Sequence, residues 1–254
     1  VIQHEEQRQF INERYGSEWF FENEELNERF FEFHKLIQNF RQSDEEFLNI
    51  LRAIRTGEIN QKQLNTLNTR ANVNYSGDDP IITLAPTNFL VDAINRFKLG
   101  EIQKTQFIYQ GIIDGDFPEN SLPNSKTLEL KVGAQVILIK NDRWKRWING
   151  TLAEISRLSI DSIFVKIGKN EYEIEKDVWK NYKYEPDDET GRLVAVVKGT
   201  YVQYPIKLAW AITIHKSQGM TFNSVFITRG SGMFEAGQLY VALSRCRTLD
   251  GLFL

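Results

Sequence analysis

The polar residues at positions 215–219 carry side chains that suit the oxygens of a phosphate group. They follow an apolar run, Leu208 to Ile214, in the sequence LAWAITIHKSQGMTF. An apolar run that ends in a glycine-bearing turn predicts a buried strand that delivers hydrogen-bond donors to a sheet edge. The cluster offers an imidazole, an ammonium, a hydroxyl, an amide and a glycine that permits close backbone approach: His215, Lys216, Ser217, Gln218 and Gly219. The alternative is a polar loop that only closes a core strand.

Arg41 is a second candidate for binding phosphate, because it lies between a predicted strand and a predicted helix. The strand is Phe33 to Phe40, and an S-x-x-E capping box of Ser43 and Glu46 predicts the helix start. Gly57 is placed to end the helix. A sharp strand-to-helix turn puts Arg41 at the edge of a sheet, where open α/β sheets bind ligands. A surface salt bridge would also account for this arginine.

Thr87 and Asn88 occupy a similar position after another predicted strand, Ile81 to Ala85. Both residue types cap helices, and an apolar stripe from Leu90 to Phe97 predicts a helix that begins there and stops near Gly100. Helix capping alone accounts for the pair, so a binding role needs separate support.

The middle of the chain, residues 126–199, has a different pattern. It predicts short strands at 134–139, 151–157, 163–167, 172–174 and 194–197, separated by turns, which is typical of a small β-barrel. Cations and aromatics interleave at a predicted hairpin tip, in the order Trp144, Lys145, Arg146 and Trp147. Such a composition suits single-stranded nucleic acid. The alternative is a solvated hairpin with one tryptophan folded down.

The C-terminal segment returns to the first pattern. A helix is predicted from Glu235 to Cys246, with Arg245 and Arg247 at its basic end. We therefore predict an α/β fold in which residues 24–125 and 200–254 form one domain with a parallel sheet. A small β-barrel at residues 126–199 interrupts that domain. Residues 1–23 are predicted to be a connecting segment.

Composition excludes several classes of protein. The single Cys246 excludes an internal disulfide and fits a reducing compartment, and three scattered histidines do not have the spacing of a zinc site. No apolar run approaches the roughly 20 residues of a membrane helix. The net charge of −3 argues against a generally basic nucleic-acid coat but permits a local basic groove. Because the chain starts at Val1 without methionine, we expect it to be a piece of a longer protein.

Five stretches together resemble the Pif and RecD-like branch of superfamily-one DNA helicases. TIHKSQGMTF and GQLYVALSRCRTLDGL resemble the fifth and sixth helicase motifs, and NFRQSDEEFLNILRAIRTGE resembles the fourth. APTNFLVDAIN and VGAQVILIKND…WINGTLAEI resemble two further elements of this branch. The resemblance implies the second motor domain, a RecA-like domain with an inserted barrel similar to a Src-homology-three fold. It also implies 5′-to-3′ movement on DNA.

The resemblance assigns expected roles to the candidate residues. Arg41 and Arg245 match the arginines that reach the γ-phosphate of ATP, and Gln218 and Gly219 lie where nucleotide state is coupled to DNA binding. The remaining candidates match DNA contacts or lie in the barrel that helps hold the single strand: Thr87, Asn88, His215, Lys216, Ser217, Trp144 and Arg146. Arg247 is a neighbouring candidate, but the family's V-A-L-S-R pattern ends on Arg245.

The sequence lacks the P-loop, G-x-x-x-x-G-K-[ST], since the pair Gly168-Lys169 is followed by Asn170. It also lacks an acidic magnesium motif after an apolar strand. We therefore expect ATP and Mg²⁺ to be bound mainly by a first motor domain outside this chain, no metal site within it, and no ATPase activity from the chain alone. The expected partners are single-stranded DNA and that domain, with no membrane and no second copy of the chain.

The expected location is the bacterial cytoplasm, or the nucleus or mitochondrion of a eukaryote. A different class of function is the alternative. The chain would then be a stand-alone single-strand-binding or regulatory module, such as the remnant of a relaxase–helicase fusion.

Overall fold

The computed structural model describes residues 5–17, 34, 39–77, 81–186, 193–230, 232 and 237–254. The chain divides into two compact units, residues 1–40 and 41–254. In the first unit, helix α1 (Glu5–Tyr15) ends before Gly16, which has a left-handed φ of 77°. Most of the predicted strand Phe33 to Phe40 and the predicted boundary at residue 23 lie outside the described residues. Among the residues described, no helix has the length and apolar character needed to cross a membrane.

Two helices open the second unit, α2 (Glu45–Thr56) and α3 (Gln61–Asn68). The predicted capping box of Ser43 and Glu46 is wrong, because Asp44 is the N-cap and its carboxylate accepts a hydrogen bond from the Phe47 amide at 3.0 Å. An aspartate in that position also interacts favourably with the helix dipole. Gly57 ends α2 in the left-handed conformation, with φ 74°, as predicted.

The remaining elements of the second unit alternate short strands with two further helices, α4 (Asn88–Glu101) and α5 (Gln238–Leu243). The strands are β1 (Ile82–Ala85), β2 (Gln106–Gln110), β3 (Ile112–Gly115), β4 (Thr127–Lys131), β5 (Gln135–Leu138), β6 (Leu152–Leu158), β7 (Ile163–Ile167), β8 (Asn170–Ile174), β9 (Asp177–Pro186), β10 (Leu193–Gln203), β11 (Ile206–Leu208), β12 (Ala211–Thr213), β13 (Val225–Ile227) and β14 (Leu252–Phe253).

A four-stranded parallel sheet has the order β12-β1-β13-β14. Its core includes Ile82, Leu84 and Val225, all without exposed surface. Asn95 of α4 fixes the edge strand β12, because its amide both accepts from the Ala211 N–H at 2.9 Å and donates to the Ala211 carbonyl at 3.0 Å. The predicted stripe on α4 is wrong at Phe97, which is 65% exposed.

The antiparallel strands form three further sheets. The largest has the order β11-β5-β6-β7-β8, and the others are β3-β10-β9 and β2-β4. Ile163 to Ile167 was predicted with the observed bounds, whereas the strand predicted at 194–197 extends over eleven residues, Leu193–Gln203. Closure of these strands into a barrel similar to a Src-homology-three fold stays a prediction.

Two predicted elements near the C-terminus are shorter than expected. The apolar run from Leu208 to Ile214 is not one strand, because it breaks at Ala209 and Trp210. β11 before the break pairs with β5 in the antiparallel sheet, and β12 after it pairs with β1 in the parallel sheet. The Gln135 side chain holds the break, donating to the Ala209 carbonyl at 2.8 Å. Helix α5 ends at Leu243, so Arg245 lies in the turn that follows it.

Candidate nucleotide and nucleic-acid sites

The turns that follow β1 and β12 lie side by side at the carboxyl edge of the parallel sheet, because these strands are parallel neighbours. Thr87 follows β1 and is the N-cap of α4, its hydroxyl accepting a hydrogen bond from the Leu90 amide at 3.3 Å. Lys216 follows β12, and its Nζ donates to the Asn88 side-chain oxygen at 3.3 Å. The structure therefore brings together three residues that were predicted to contact DNA.

A single 3₁₀ turn, His215–Ser217, presents the rest of the polar cluster. His215, Lys216 and Gln218 are exposed, whereas Ser217 is fully buried and its hydroxyl donates to the Ile214 carbonyl at 2.6 Å. Gly219 has a left-handed φ of 84° and open space where a Cβ would lie. A ligand can approach the backbone at Gly219, while the Ser217 side chain stabilises the turn.

Arg245 is a buried arginine that contacts Met220, the residue after this polar cluster. It is 8% exposed, and its guanidinium donates to the Val241 carbonyl at 2.9 Å, the Ser244 hydroxyl at 2.9 Å and the Met220 carbonyl at 3.5 Å. These acceptors are neutral, and Arg245 makes no ion pair with any described residue. Burial lowers the pKa of Arg245, and the positive charge of Arg41 lowers it further.

Arg41 is held close to Arg245 by contacts with distant parts of the chain. Its guanidinium donates to the Thr221 hydroxyl at 3.0 Å and to the Ser244 carbonyl at 3.4 Å. The buried Gln42 beside it donates to the Ser244 and Cys246 carbonyls at 2.8 and 2.9 Å. Two like charges are therefore anchored side by side, an arrangement that an anion would stabilise.

An open cleft of about 1400 Å³ lies next to the arginine pair. The segment Met220–Thr221 separates the two sites, since its polar atoms accept from Arg245 and Arg41 and both residues also line the cleft. Gly150 also lines the cleft, and a Cβ added there would lie 3.2 Å from the Met220 methyl carbon. The cleft is also lined by Asn88 and by three residues of the polar cluster, Lys216, Gln218 and Gly219.

Trp144 and Arg146 are not among the residues that line this cleft. The Arg146 guanidinium pairs with Asp142 at 2.8 Å and lies 4.6 Å from the ring centre of Trp147. The hydrogen bond from Arg146 lowers the pKa of Asp142 to about 2. Trp147 packs near Tyr172, whereas Trp144 is 67% exposed. Trp147 is thus folded down, as expected for the alternative of a solvated hairpin, and Trp144 lies in solvent.

Two residues of the sites were not predicted to have a role. Gln42 follows Arg41 in the sequence, but its partners lie 202 and 204 residues away along the chain, so no local pattern reveals them. Lys207 lines the cleft from β11, and no motif of the sequence includes it. Within the part of the chain that the structure describes, no group of three or more His, Cys, Asp or Glu side chains could hold a metal ion.

Comparison with known proteins is consistent with this arrangement. Residues 208–250, which include β12, the polar cluster and Arg245, match the family of the UvrD-like helicase C-terminal domain. The chain is 33% identical over 225 residues to the ATP-dependent DNA helicase Pif1 of Bdellovibrio bacteriovorus, covering 86% of this chain and 49% of the relative. Human ATP-dependent DNA helicase PIF1 is 31% identical over 229 residues, covering 86% of this chain and 34% of the relative.

Solved structures of Bacteroides Pif1 superpose on nearly the whole chain. The complex with single-stranded DNA has a TM-score of 0.74 at 35% identity, covering 99% of this chain and 58% of that one. The complex with ADP-AlF4 has a TM-score of 0.76, also at 35% identity, with 100% and 58% covered. The chain has the sequence and the fold of the C-terminal part of a Pif1-like helicase. It spans about half the length of the Bdellovibrio Pif1 and about a third of the human PIF1.

The Pif1-like assignment confirms the predicted family and the predicted α/β fold with a parallel sheet. The domain boundaries and the roles of the individual site residues stay predictions.

Proposed function

We propose that this chain is the C-terminal half of an ATP-dependent 5′-to-3′ DNA helicase. In this proposal, Arg41 and Arg245 contact the γ-phosphate of ATP bound by a first motor domain, and the adjacent cleft binds single-stranded DNA. The observation that carries the proposal is the close pair of anchored arginines, of which Arg245 is buried and, among the described residues, has neutral partners only.

The arginine pair suits a phosphate because a guanidinium can pair two phosphate oxygens at once. Without an anion, the two charges repel each other, and burial adds to that cost at Arg245. The negative charge that spreads over the phosphoryl oxygens during transfer would relieve both effects. The pair is therefore suited to stabilising the transition state of ATP hydrolysis.

The DNA part of the proposal is supported by the exposed polar groups of the cleft. Lys216 offers a cation, Asn88 and Gln218 offer amides, and Gly219 offers accessible backbone. These are the groups that contact phosphates and sugars without reading sequence. Thr87, His215 and Ser217 belong to the same proposed contact set, with the Ser217 hydroxyl acting mainly through the shape of its turn.

Coupling between the two sites follows from the segment Met220–Thr221, which contacts both arginines and lines the cleft. A movement of Arg41 or Arg245 toward a nucleotide would pull on this segment and change the cleft. Closure of the two motor domains on ATP, and its reversal after hydrolysis, would then move the bound strand. In this proposal a P-loop domain outside the chain holds most of the ATP and the Mg²⁺.

The test of the arginine role is Arg245→Ala in a full-length protein that joins this chain to its P-loop domain. We expect DNA-stimulated ATP turnover to fall by about 10³ to 10⁵, with single-strand affinity retained. Arg245→Lys should also be slow, because lysine keeps the charge but loses the fork. Arg247→Ala is the matched control, since Arg247 is exposed and has no proposed contact with ATP. Normal turnover by a folded Arg245→Lys protein contradicts the role.

The isolated chain separates this proposal from a stand-alone binding module. We expect it to bind single-stranded DNA with a marked salt dependence and to hydrolyse no ATP. Turnover by the isolated chain would show a nucleotide site that the proposal lacks. Unwinding by the full-length protein of duplexes with a 3′ tail only, and not with a 5′ tail, would contradict the proposed direction.

A further inference from the structure

Lys207 lines the cleft from the antiparallel sheet. It is the middle residue of β11, paired with Ile137 of β5, and it lines the same cleft as Lys216. The two lysines therefore reach one space from two different sheets, β11 of the antiparallel sheet and the turn after β12 of the parallel sheet. Lys207 lies outside the recognisable motifs of the sequence.

Lys207 is a partly buried cation. Its ammonium group makes no hydrogen bond or ion pair with any residue that the structure describes. Three carboxylates also line the cleft, Asp92, Glu119 and Glu129, and none of them pairs with either lysine. Burial, together with the positive charge of Lys216, lowers the pKa of Lys207 to about 8.

An anion between the two ammonium groups would offset both effects, since a nearby opposite charge favours the charged form of a lysine. No carboxylate in the described part of the chain pairs with either lysine, and Lys216 has donors besides the one that binds Asn88, because an ammonium has three. The surroundings thus favour a compact anion with accessible oxygens. A backbone phosphate of a strand lying in the cleft has that chemistry.

We propose that Lys207 and Lys216 together bind one backbone phosphate of single-stranded DNA in the cleft. This proposal rests on the proposed DNA-binding function and extends it to a residue of the antiparallel sheet. The strand would then be held by both sheets rather than by the parallel sheet alone. Displacement of the sheets relative to each other would break one of the two contacts first.

The test uses the 254-residue chain and a fluorescein-labelled deoxythymidylate oligomer, with anisotropy measured across a salt series. We expect Lys207→Gln to weaken binding and to reduce the slope of log affinity against log salt by up to about 0.7, the value for one complete phosphate contact on a single strand. Lys207→Arg should restore the slope. Lys169→Gln is the control, because Lys169 is an exposed lysine in the turn between β7 and β8 and does not line the cleft.

The outcomes distinguish the proposal for Lys207 from the proposed DNA-binding function. A folded Lys207→Gln chain with the wild-type slope overturns the proposal for Lys207 and leaves the proposed DNA-binding function intact. No binding by the wild-type chain at low salt overturns both. If Lys207→Gln weakens the binding of Mg·ATP to the full-length protein but not that of the oligomer, the phosphate belongs to a nucleotide and the proposal is wrong.

Discussion

Gln42 links the segment that carries Arg41 to the segment that carries Arg245. Its buried amide donates to the carbonyls of Ser244 and Cys246, which flank Arg245 in the chain. This link adds to the hydrogen bonds that each arginine makes itself. Hydrogen bonds of this kind matter mainly because a buried carbonyl without a partner is costly.

Gln42→Leu should destabilise the chain by about 1 to 3 kcal/mol, because it leaves the buried Cys246 carbonyl without its side-chain partner, whereas the Ser244 carbonyl keeps its hydrogen bond from Arg41. The measurement is urea unfolding of the 254-residue chain. Gln61→Leu is the control, since Gln61 is exposed on α3, and it should change the free energy of unfolding by no more than about 0.5 kcal/mol. Equal stability of the two variants would show that the link through Gln42 contributes little.

At the scale of residues, the sequence predicts which groups can bind phosphate but not how they are held. Arg41 and Arg245 were selected by their type and their place in recognisable motifs. The neutral partners of Arg245 and the position of Lys207 depend on contacts between residues far apart in the chain. No periodicity carries that information.

The ends of α2 are defined by two residues with different physical roles. Asp44 caps the amides at the start, and Gly57 supplies the left-handed turn at the end. Sequence reasoning predicted the glycine correctly because left-handed backbone strongly favours it. The sequence predicted Ser43 rather than Asp44 as the N-cap, because both residue types cap helices and only the backbone conformation distinguishes them.

Gly57→Ala and Gly100→Ala should change stability in opposite directions. Gly57 has φ 74°, so alanine there is strained and should cost about 1 to 2 kcal/mol. Gly100 lies exposed within α4 with open space around its Cα, so alanine should stabilise the chain by about 0.5 to 1 kcal/mol. Chemical denaturation of both variants checks the prediction, and a shift in the same direction for both would contradict it.

The break between β11 and β12 could not be predicted from the apolar run itself. Leu208 to Ile214 has the alternation of a single strand, yet Leu208 pairs in the antiparallel sheet and Ala211 to Thr213 pair in the parallel sheet. The side chain that stabilises the break, Gln135, comes from β5 and lies about seventy residues earlier. Local pattern predicts that a segment is extended, but the pairing of its strands depends on the rest of the molecule.

At the scale of the molecule, β5 contributes to two hydrophobic cores. Ile137 packs in the core that contains the parallel sheet, whereas Val136 and Leu138 pack in the core of the antiparallel strands. Because one short strand serves both cores, neither can lose its packing without disturbing the other. Residues 41–254 should therefore unfold as one cooperative unit.

Cooperativity can be tested by following two signals during urea unfolding. Helical ellipticity reports mainly on the parallel-sheet part. Tryptophan fluorescence reports mainly on the antiparallel part, because Trp147 and Trp210 pack against its core. We expect coincident transitions, and Ile137→Ala should lower both midpoints together at a cost of about 2 to 5 kcal/mol. Ile160→Ala is the control, because Ile160 is 85% exposed. Two separated transitions would show that the cores are independent.

The burial of Cys246 has a practical consequence for labelling chemistry. It is the only cysteine of the chain, it has no exposed surface, and burial raises the pKa of its thiol. A maleimide reacts with exposed thiolates, so the folded chain offers it almost no target. A cysteine introduced at the exposed Asn149, on the wall of the cleft, would thus carry a single dye without prior removal of the native thiol.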